Sequence, residues 1–198
     1  MTTISRKSAN SYFLAPGVTV GRYKALVKSA PPDRKALAEM VRRRFAARYI
    51  DPITDEGRPR GGFAAIALCC LAIQALHCFR NRRHSSNFRA AMETFVKENQ
   101  EFASLRGCEG DFCKNVRDAL HHQGQTDGGW RINLAGPVYS RLTLSVGAQN
   151  FLKGFNAALD RYCVELEASS DTSSVWKNFV EKMEMVIGAC DFESGTRR

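Results

Sequence analysis

A long apolar run at residues 61–79, GGFAAIALCCLAIQALHCF, restricts the fold of this chain more than any other feature. A helix formed by this run must be covered on most sides, either by lipid or by other parts of the chain. Its length is nearly sufficient to cross a bilayer. The run is nevertheless rich in Ala and Cys and contains Gln74 and His77, and no other segment could accompany it in a membrane. We therefore predict a buried helix at 62–80 and no membrane association, with a membrane span as the alternative.

Apolar residues recur at helical spacing in five further segments, which can supply the cover that this helix needs. The predicted helices span about 34–49, 85–105, 110–122, 148–168 and 173–188. Asp33 can cap the first of them, Ser85 or Ser86 the second, and Gly124 can end the third. The chain is therefore predicted to be a helical bundle.

After the third of these helices the apolar period changes to two, which is typical of strands. The alternating apolar residues lie on either side of an Ala-Gly-Pro turn signal and are Trp130, Ile132, Leu134, Leu142, Leu144 and Val146. This pattern predicts a small β-hairpin at about 130–146. Residues 1–32 show weak periodicity and predict an irregular lead-in, whereas 191–198 predict a flexible tail. The expected fold is thus all-α, with a single domain at 33–190 into which the hairpin is inserted.

Charge and cysteine content indicate the partner and the compartment. Lys and Arg total 29 against 20 Asp and Glu, which gives a formal net charge of +9. This excess favours a polyanionic partner such as RNA, the alternative being a protein that is merely basic. The cysteines number seven, and Cys69 and Cys70 are adjacent within the apolar run, as expected for core thiols in a reducing cytosol. The first residues contain no apolar stretch of signal-peptide length, so a cytoplasmic location is predicted.

The segment most informative about function is CKNVRDALHHQGQTDGGWRINL, residues 113–134. Arg117 is followed by the polar Asp118, and His122 closes the pattern five residues after the arginine. This resembles the motif of the HEPN superfamily, an Arg with a polar follower and a His four to six residues beyond it. The following HHQGQTDGGWRI and the later LDRYCVEL resemble the C-terminal half of some plasmid-borne and defence-associated HEPN proteins. The resemblance covers about residues 60–168.

The resemblance implies a HEPN-like bundle and an RNA endonuclease that needs neither metal nor cofactor. Arg117 and His122 would be its catalytic residues, in a cleft shared by the two protomers of a homodimer. The expected products are a 2′,3′-cyclic phosphate and a 5′-hydroxyl. The resemblance also implies a toxin or antiviral defence role, with an antitoxin or regulatory protein as a further partner. The alternative is a HEPN-like module that binds nucleic acid or a protein without cleaving anything.

His121 competes with His122 for the catalytic role. Residues five apart lie about 140° apart around an ideal helix, whereas Arg117 and His121 are only about 40° apart. We nevertheless favour His122, because Gly124 lets the last turn unwind and because the family spacing selects it. Histidine suits proton transfer near neutral pH, and arginine presents fixed donors to the charge that develops on phosphate.

Several other residues are candidates for weaker roles. Asp118 can orient Arg117 or a histidine, unless it is an ordinary exposed acid. Four more residues are predicted to contact RNA, and these are Arg44, Arg80, Arg82 and Arg83. Arg80, Arg82 and Arg83 form a basic cluster together with His84, and the alternative for this cluster is a solvated surface. Trp130 can stack a base, although an aromatic residue at the start of a strand pair is more often part of the core.

A structural zinc site is the remaining alternative. Its ligands would be Cys108, Cys113, His121 and His122. Structural zinc sites usually take two separate ligand pairs, each spaced two to four residues apart, and adjacent histidines at a helix end fit this arrangement poorly. We therefore predict no metal site, and His77 is most simply a histidine of the core.

Overall fold

The computed structural model describes residues 9–83 and 86–189, and most of them are helical. The α-helices of this part are Val20–Lys28 (α1), Arg34–Phe45 (α2), Gly62–Arg80 (α3), Phe88–Glu98 (α4), Glu109–Phe112 (α5), Ala119–Gln123 (α6), Ala148–Glu167 (α7) and Ser174–Gly188 (α8). The predicted all-helical class is confirmed. The tail predicted at 191–198 lies outside the described residues, as do residues 1–8, His84 and Ser85.

The apolar helix α3 lies at the centre of the bundle and contacts α4, α7 and α8. Nine of its residues are buried, namely Ala65, Ile66, Cys69, Cys70, Ala72, Ile73, Leu76, Cys78 and Phe79. In the described part of the chain it is the one helix with the length and composition to span a membrane, and half of its most apolar window is buried. Packing against the neighbouring helices accounts for the buried part of this apolar surface, whereas Phe63 and Leu71 of α3 are exposed.

The core cysteines are confirmed for the part of the chain that is described. Six are buried and free, namely Cys69, Cys70, Cys78, Cys108, Cys113 and Cys163. Burial raises the pKa of the Cys69 thiol to about 12. Thiols of this kind stay protonated and behave as small apolar side chains.

A continuous series of aromatic rings runs through the core from α2 towards α5. Successive ring centres lie 4.9 to 6.4 Å apart along Phe45, Phe155, Phe95, Phe102, Phe151 and Phe112. Gly154 permits the close approach of this layer, since a Cβ there would lie 2.8 Å from the ring of Phe102. The series therefore anchors α5 directly before the segment that carries the motif arginine.

The start of the chain is more regular than its sequence predicts. Two antiparallel hairpins precede α3: β1 (Phe13–Ala15) with β2 (Val18–Thr19), and β3 (Thr54–Asp55) with β4 (Arg58–Pro59). The Thr19 side chain caps α1 by accepting from the backbone N–H of Arg22 at 3.2 Å. The irregular lead-in predicted for 1–32 is therefore wrong from residue 9 onward. A helix of nine residues repeats its apolar spacing too few times to be evident in the sequence.

The bounds of two predicted helices differ from the observed ones. The segment predicted as one helix at 34–49 is α-helical up to Phe45, the end of α2. A π-helical turn follows at Ala46–Ile50. The helix predicted at 85–105 is α4, followed by a 3₁₀ segment at Gln100–Leu105. Its cap is Asn87, whose side chain accepts from the backbone N–H of Arg89 at 2.8 Å, so the predicted Ser85 or Ser86 cap is wrong. Asn is as good a cap as Ser, and it stands immediately before the first helical residue.

The hairpin predicted at about 130–146 is also wrong, because its two strands run parallel. In this pair Ile132 of β5 (Arg131–Asn133) lies opposite Val146 of β6 (Ser145–Gly147). The connection between them turns back once more through an antiparallel bridge between Ser140 and Ser145. A hairpin allows one reversal, and this second reversal makes the strands parallel.

Candidate functional site

A π-helical turn interrupts the helix that carries the motif. The turn spans Cys113–Asp118 and joins α5 to α6. Gly124 ends α6, as predicted, and its φ is 71°. Hydrogen bonds in a π-helix join residues five apart, so the turn holds an extra residue. Arg117 lies within it. The angular relation between Arg117 and the two histidines is therefore not that of the ideal α-helix assumed from the sequence.

Arg117 and Asp118 line a pocket of about 480 Å³ between the π-helical turn, α3 and the start of α4. The other lining residues are Gln74, Ser86, Asn87, Phe88, Arg89, Gly110, Cys113 and Lys114. We call this cavity the Arg117 pocket. Its volume falls within the range of roughly 300–1,000 Å³ that is usual for ligand sites, and its walls carry both charged and amide side chains.

The guanidinium of Arg117 is held on two sides. Its Nη1 donates to the Asp118 carboxylate at 2.8 Å, and its Cζ lies 5.2 Å from the centre of the Phe88 ring. The side chain is 27% exposed, which leaves it open to a ligand while restricting its movement. This contact agrees with the orienting role predicted for Asp118, and the role itself stays a prediction.

His121 and His122 are both exposed at the end of α6, and neither lines the Arg117 pocket. Their ring centres lie 4.9 Å apart with an interplanar angle of 75°. A single chain thus combines a pocket that contains the arginine with two accessible imidazoles outside it. The structure gives no reason to prefer one histidine over the other.

Arg89 and Lys114 also line the Arg117 pocket, although the sequence contains no signal that singles them out. Burial raises the pKa of the Cys113 thiol in the pocket wall to about 12, and the charges of Asp118, Arg89 and Arg117 all act on that thiol. Both arginines therefore lie near this thiol. Arg89 reaches the pocket from α4, and only the tertiary fold brings it there.

The basic cluster after α3 is largely engaged within the protein. Arg80 donates to both carboxylate oxygens of Glu165, at 2.9 and 3.3 Å. Arg82 donates to Glu181 at 2.8 Å. The Arg83 side chain is exposed, and no ion pair of Arg83 is found among the residues that the structure describes. Of the three, Arg83 is best placed for the predicted RNA contact.

Arg44 has a structural partner. Its Nη1 donates to the backbone carbonyl oxygen of Leu14 at 2.6 Å. This bond ties β1 to α2. Arg44 is not among the residues that line the Arg117 pocket, so its predicted contact with RNA would lie elsewhere on the surface.

The base-stacking role predicted for Trp130 is wrong, and the core alternative is confirmed. Trp130 is 6% exposed, and its ring stacks on Tyr139 with 4.9 Å between the ring centres. The edge of Phe112 covers it from another side at 6.2 Å. These neighbours already occupy the surface that a base would need.

The ligand set of the zinc alternative is not assembled. Cys108 and Cys113 are buried, whereas His121 and His122 are exposed. Within residues 9–83 and 86–189, no three His, Cys, Asp or Glu side chains form a group that could hold a metal ion.

Comparisons of this chain with protein-family models, curated proteins and solved structures found no significant match. The likeness to HEPN proteins therefore rests on the motif and its surrounding residues alone.

Proposed function

We propose that this protein is a metal-independent RNA endonuclease of the HEPN type, active as a homodimer in the cytoplasm. The observation that carries the proposal is the placement of Arg117, half-buried in the wall of a pocket of about 480 Å³ and followed on the same helix by two exposed histidines. Arginine and histidine are together sufficient for transfer of an RNA phosphoryl group to the neighbouring 2′-hydroxyl.

In the proposed reaction a histidine removes the proton from the 2′-hydroxyl, and the 2′-oxygen attacks the adjacent phosphorus. The bond from phosphorus to the 5′-oxygen breaks, and that oxygen takes a proton from a protonated histidine as it leaves. The products are a 2′,3′-cyclic phosphate and a 5′-hydroxyl. Arg117 stabilises the extra negative charge on the non-bridging oxygens, where a fixed guanidinium is most effective. We assign proton transfer to His122, and its neighbour His121 is the alternative.

The placement of these groups in one chain favours a site completed by a second copy. Among the described residues, no histidine lines the Arg117 pocket, while His121 and His122 are exposed and accessible to another protomer. A two-fold axis near α6 would set the histidines of one protomer against the pocket of the other. RNA and the second copy are therefore the proposed partners.

One observation favours the second candidate, a non-catalytic module that binds nucleic acid or a protein. Arg117 is already paired with Asp118 at 2.8 Å, and no histidine is found among the described residues that line its pocket. A pocket of this kind can bind an anion without reacting with it.

Incubation of the purified protein with end-labelled RNA in EDTA separates the two candidates. We expect cleavage that leaves a cyclic phosphate, and a loss of about 100-fold or more in Arg117→Ala and in His122→Ala. Arg106→Ala, which removes an exposed arginine outside the pocket, serves as the matched control. A single deoxyribose at the cut position should prevent cleavage. Tight binding without products would contradict the enzyme and support the module.

The proposed role as a toxin or defence effector, and a controlling antitoxin, follow from the resemblance alone. Growth arrest on expression of the wild-type chain, relieved by His122→Ala, would support them. Normal growth in the presence of cleavage activity would contradict them.

A further inference from the structure

Three cationic side chains surround the Arg117 pocket. Lys114 and Arg117 come from the same π-helical turn, and Arg89 comes from the first turn of α4 on the opposite wall. A single scissile phosphate needs the charge of Arg117 alone. Two further cations on the same cavity therefore require an explanation.

The guanidinium of Arg89 lies close to Gly110 at the start of α5. A Cβ at Gly110 would lie 3.1 Å from Nη2 of Arg89. The Nε of Arg89 donates to Glu93 at 3.0 Å, whereas its two Nη atoms have no hydrogen-bond partner among the described residues. The terminal nitrogens of this fork are thus available for two parallel hydrogen bonds to a phosphate.

Lys114 is exposed, and within the described part of the chain it takes part in no ion pair. The acids near these cations are Asp118, which is paired with Arg117, Glu93, which is paired with Arg89, and Asp111, whose charge also acts on Arg89. Three cations and three carboxylates balance in formal charge. The Lys114 ammonium and the Arg89 Nη atoms are nevertheless donors without an ion-pair partner among the described residues, and a phosphate can accept from them.

We infer that Arg89 and Lys114 form a second phosphate-binding position, which holds a phosphate of the RNA chain next to the one bound by Arg117. This inference rests on the proposed function for the identity of the ligand. Arg89 and Lys114 are binding residues in this assignment and take no part in the proton transfers. Binding two successive phosphates fixes the strand across the pocket and sets the position of the bond to be cut.

The test measures the binding of a fluorescent 2′-O-methyl oligonucleotide of about nine nucleotides, which cannot be cleaved through a 2′-hydroxyl. Anisotropy titrations at several salt concentrations give the slope of log K against log salt, which changes by about 0.7 for each phosphate contact to a single strand. We expect Arg89→Ala and Lys114→Ala each to weaken binding and to reduce the slope by about 0.7.

Two substitutions elsewhere provide matched controls. Arg43 forms an ion pair with Glu39 on α2 at 2.9 Å, much as Arg89 does with Glu93, and Lys177 is an exposed lysine of α8. Arg43→Ala and Lys177→Ala should leave the slope unchanged. Equal effects of all four substitutions would overturn the second phosphate position in favour of diffuse charge attraction.

The same variants distinguish this inference from the proposed function. RNA cleavage that depends on Arg117, with slopes unaffected by Arg89→Ala and Lys114→Ala, would reject the second position and leave the enzyme intact. Reduced slopes in a protein that never cleaves RNA would support the second position and reject the enzyme.

Discussion

At the scale of single residues, Arg161 and Glu101 form an ion pair that makes stability depend on pH. Arg161 donates to the two carboxylate oxygens of Glu101 at 2.7 and 2.8 Å. These hydrogen bonds lower the pKa of Glu101 below its ordinary value of 4.5. A carboxyl with a depressed pKa in the folded state adds stability above its unfolded pKa, and this contribution is lost as the pH falls through the folded pKa.

We therefore predict that Glu101→Gln lowers the free energy of unfolding at pH 7 by up to about 1 kcal/mol, as for other partly exposed pairs. The difference from the wild type should shrink between pH 7 and pH 3, as the pH falls towards the lowered pKa of the wild-type carboxyl. Urea unfolding at the two pH values measures both quantities. Glu167→Gln, at an exposed acid of the same protein, is the control. A difference that is equal at both pH values would contradict the prediction.

Residues whose role is set by their neighbours in sequence were predictable, and residues whose role is set by the tertiary fold were not. The caps at Asp33 and Gly124 follow from local backbone geometry and are confirmed. Arg89 reaches the Arg117 pocket only because α4 packs beside α5, which no local pattern reveals. The period of two around Trp130 indicated a strand, and it could not show that the indole would face the core.

At the scale of elements, the parallel pairing of β5 and β6 depends on a close backbone crossing. A Cβ at Gly147 would lie 2.3 Å from the carbonyl oxygen of Gly136 and 2.6 Å from that of Pro137. The connection between the two strands therefore passes directly over β6, and backbone atoms cannot move aside as a flexible side chain can.

We predict that Gly147→Ala destabilises the protein by about 1–3 kcal/mol, the usual effect of forcing extra atoms into a filled space. Gly188→Ala is the control, since a Cβ at Gly188, the last residue of α8, would have no neighbour within 4 Å. Urea or thermal unfolding measures both variants. Equal stabilities of the two variants would show that the crossing can open without cost.

Two elements differ from what the sequence predicts, and each difference has a physical reason. A π-helical turn changes the hydrogen bonding by one residue and leaves the apolar spacing almost intact, so Cys113–Asp118 resembled an ordinary helix. Alternation indicates a strand without indicating its direction, so the sequence predicts a hairpin where the two strands run parallel. By contrast, the span of α3 was predicted to the residue, because continuous hydropathy with Gly and Arg at its two ends defines it.

At the scale of the whole molecule, the proposed enzyme requires two chains. Light scattering after size exclusion should give twice the chain mass of 22.1 kDa. Arg117→Ala and His122→Ala chains, co-expressed with different tags and purified as the mixed dimer, should regain cleavage activity that neither variant has alone. In the mixed dimer, the His122→Ala chain supplies Arg117 and the Arg117→Ala chain supplies His122, so one complete site remains. A monomer, or a mixed dimer as inactive as its parents, would contradict the shared site.

The central position of α3 has a consequence for synthesis of the protein on the ribosome. Its main partner α7 begins at Ala148, so 67 residues follow α3 before the first residue of that partner is made. At about 5–20 residues per second, the nascent chain carries its most apolar segment without that cover for about 3 to 13 seconds. Translation that stops before α7 would leave this segment without its main partner, which makes such fragments natural clients of chaperones and proteases.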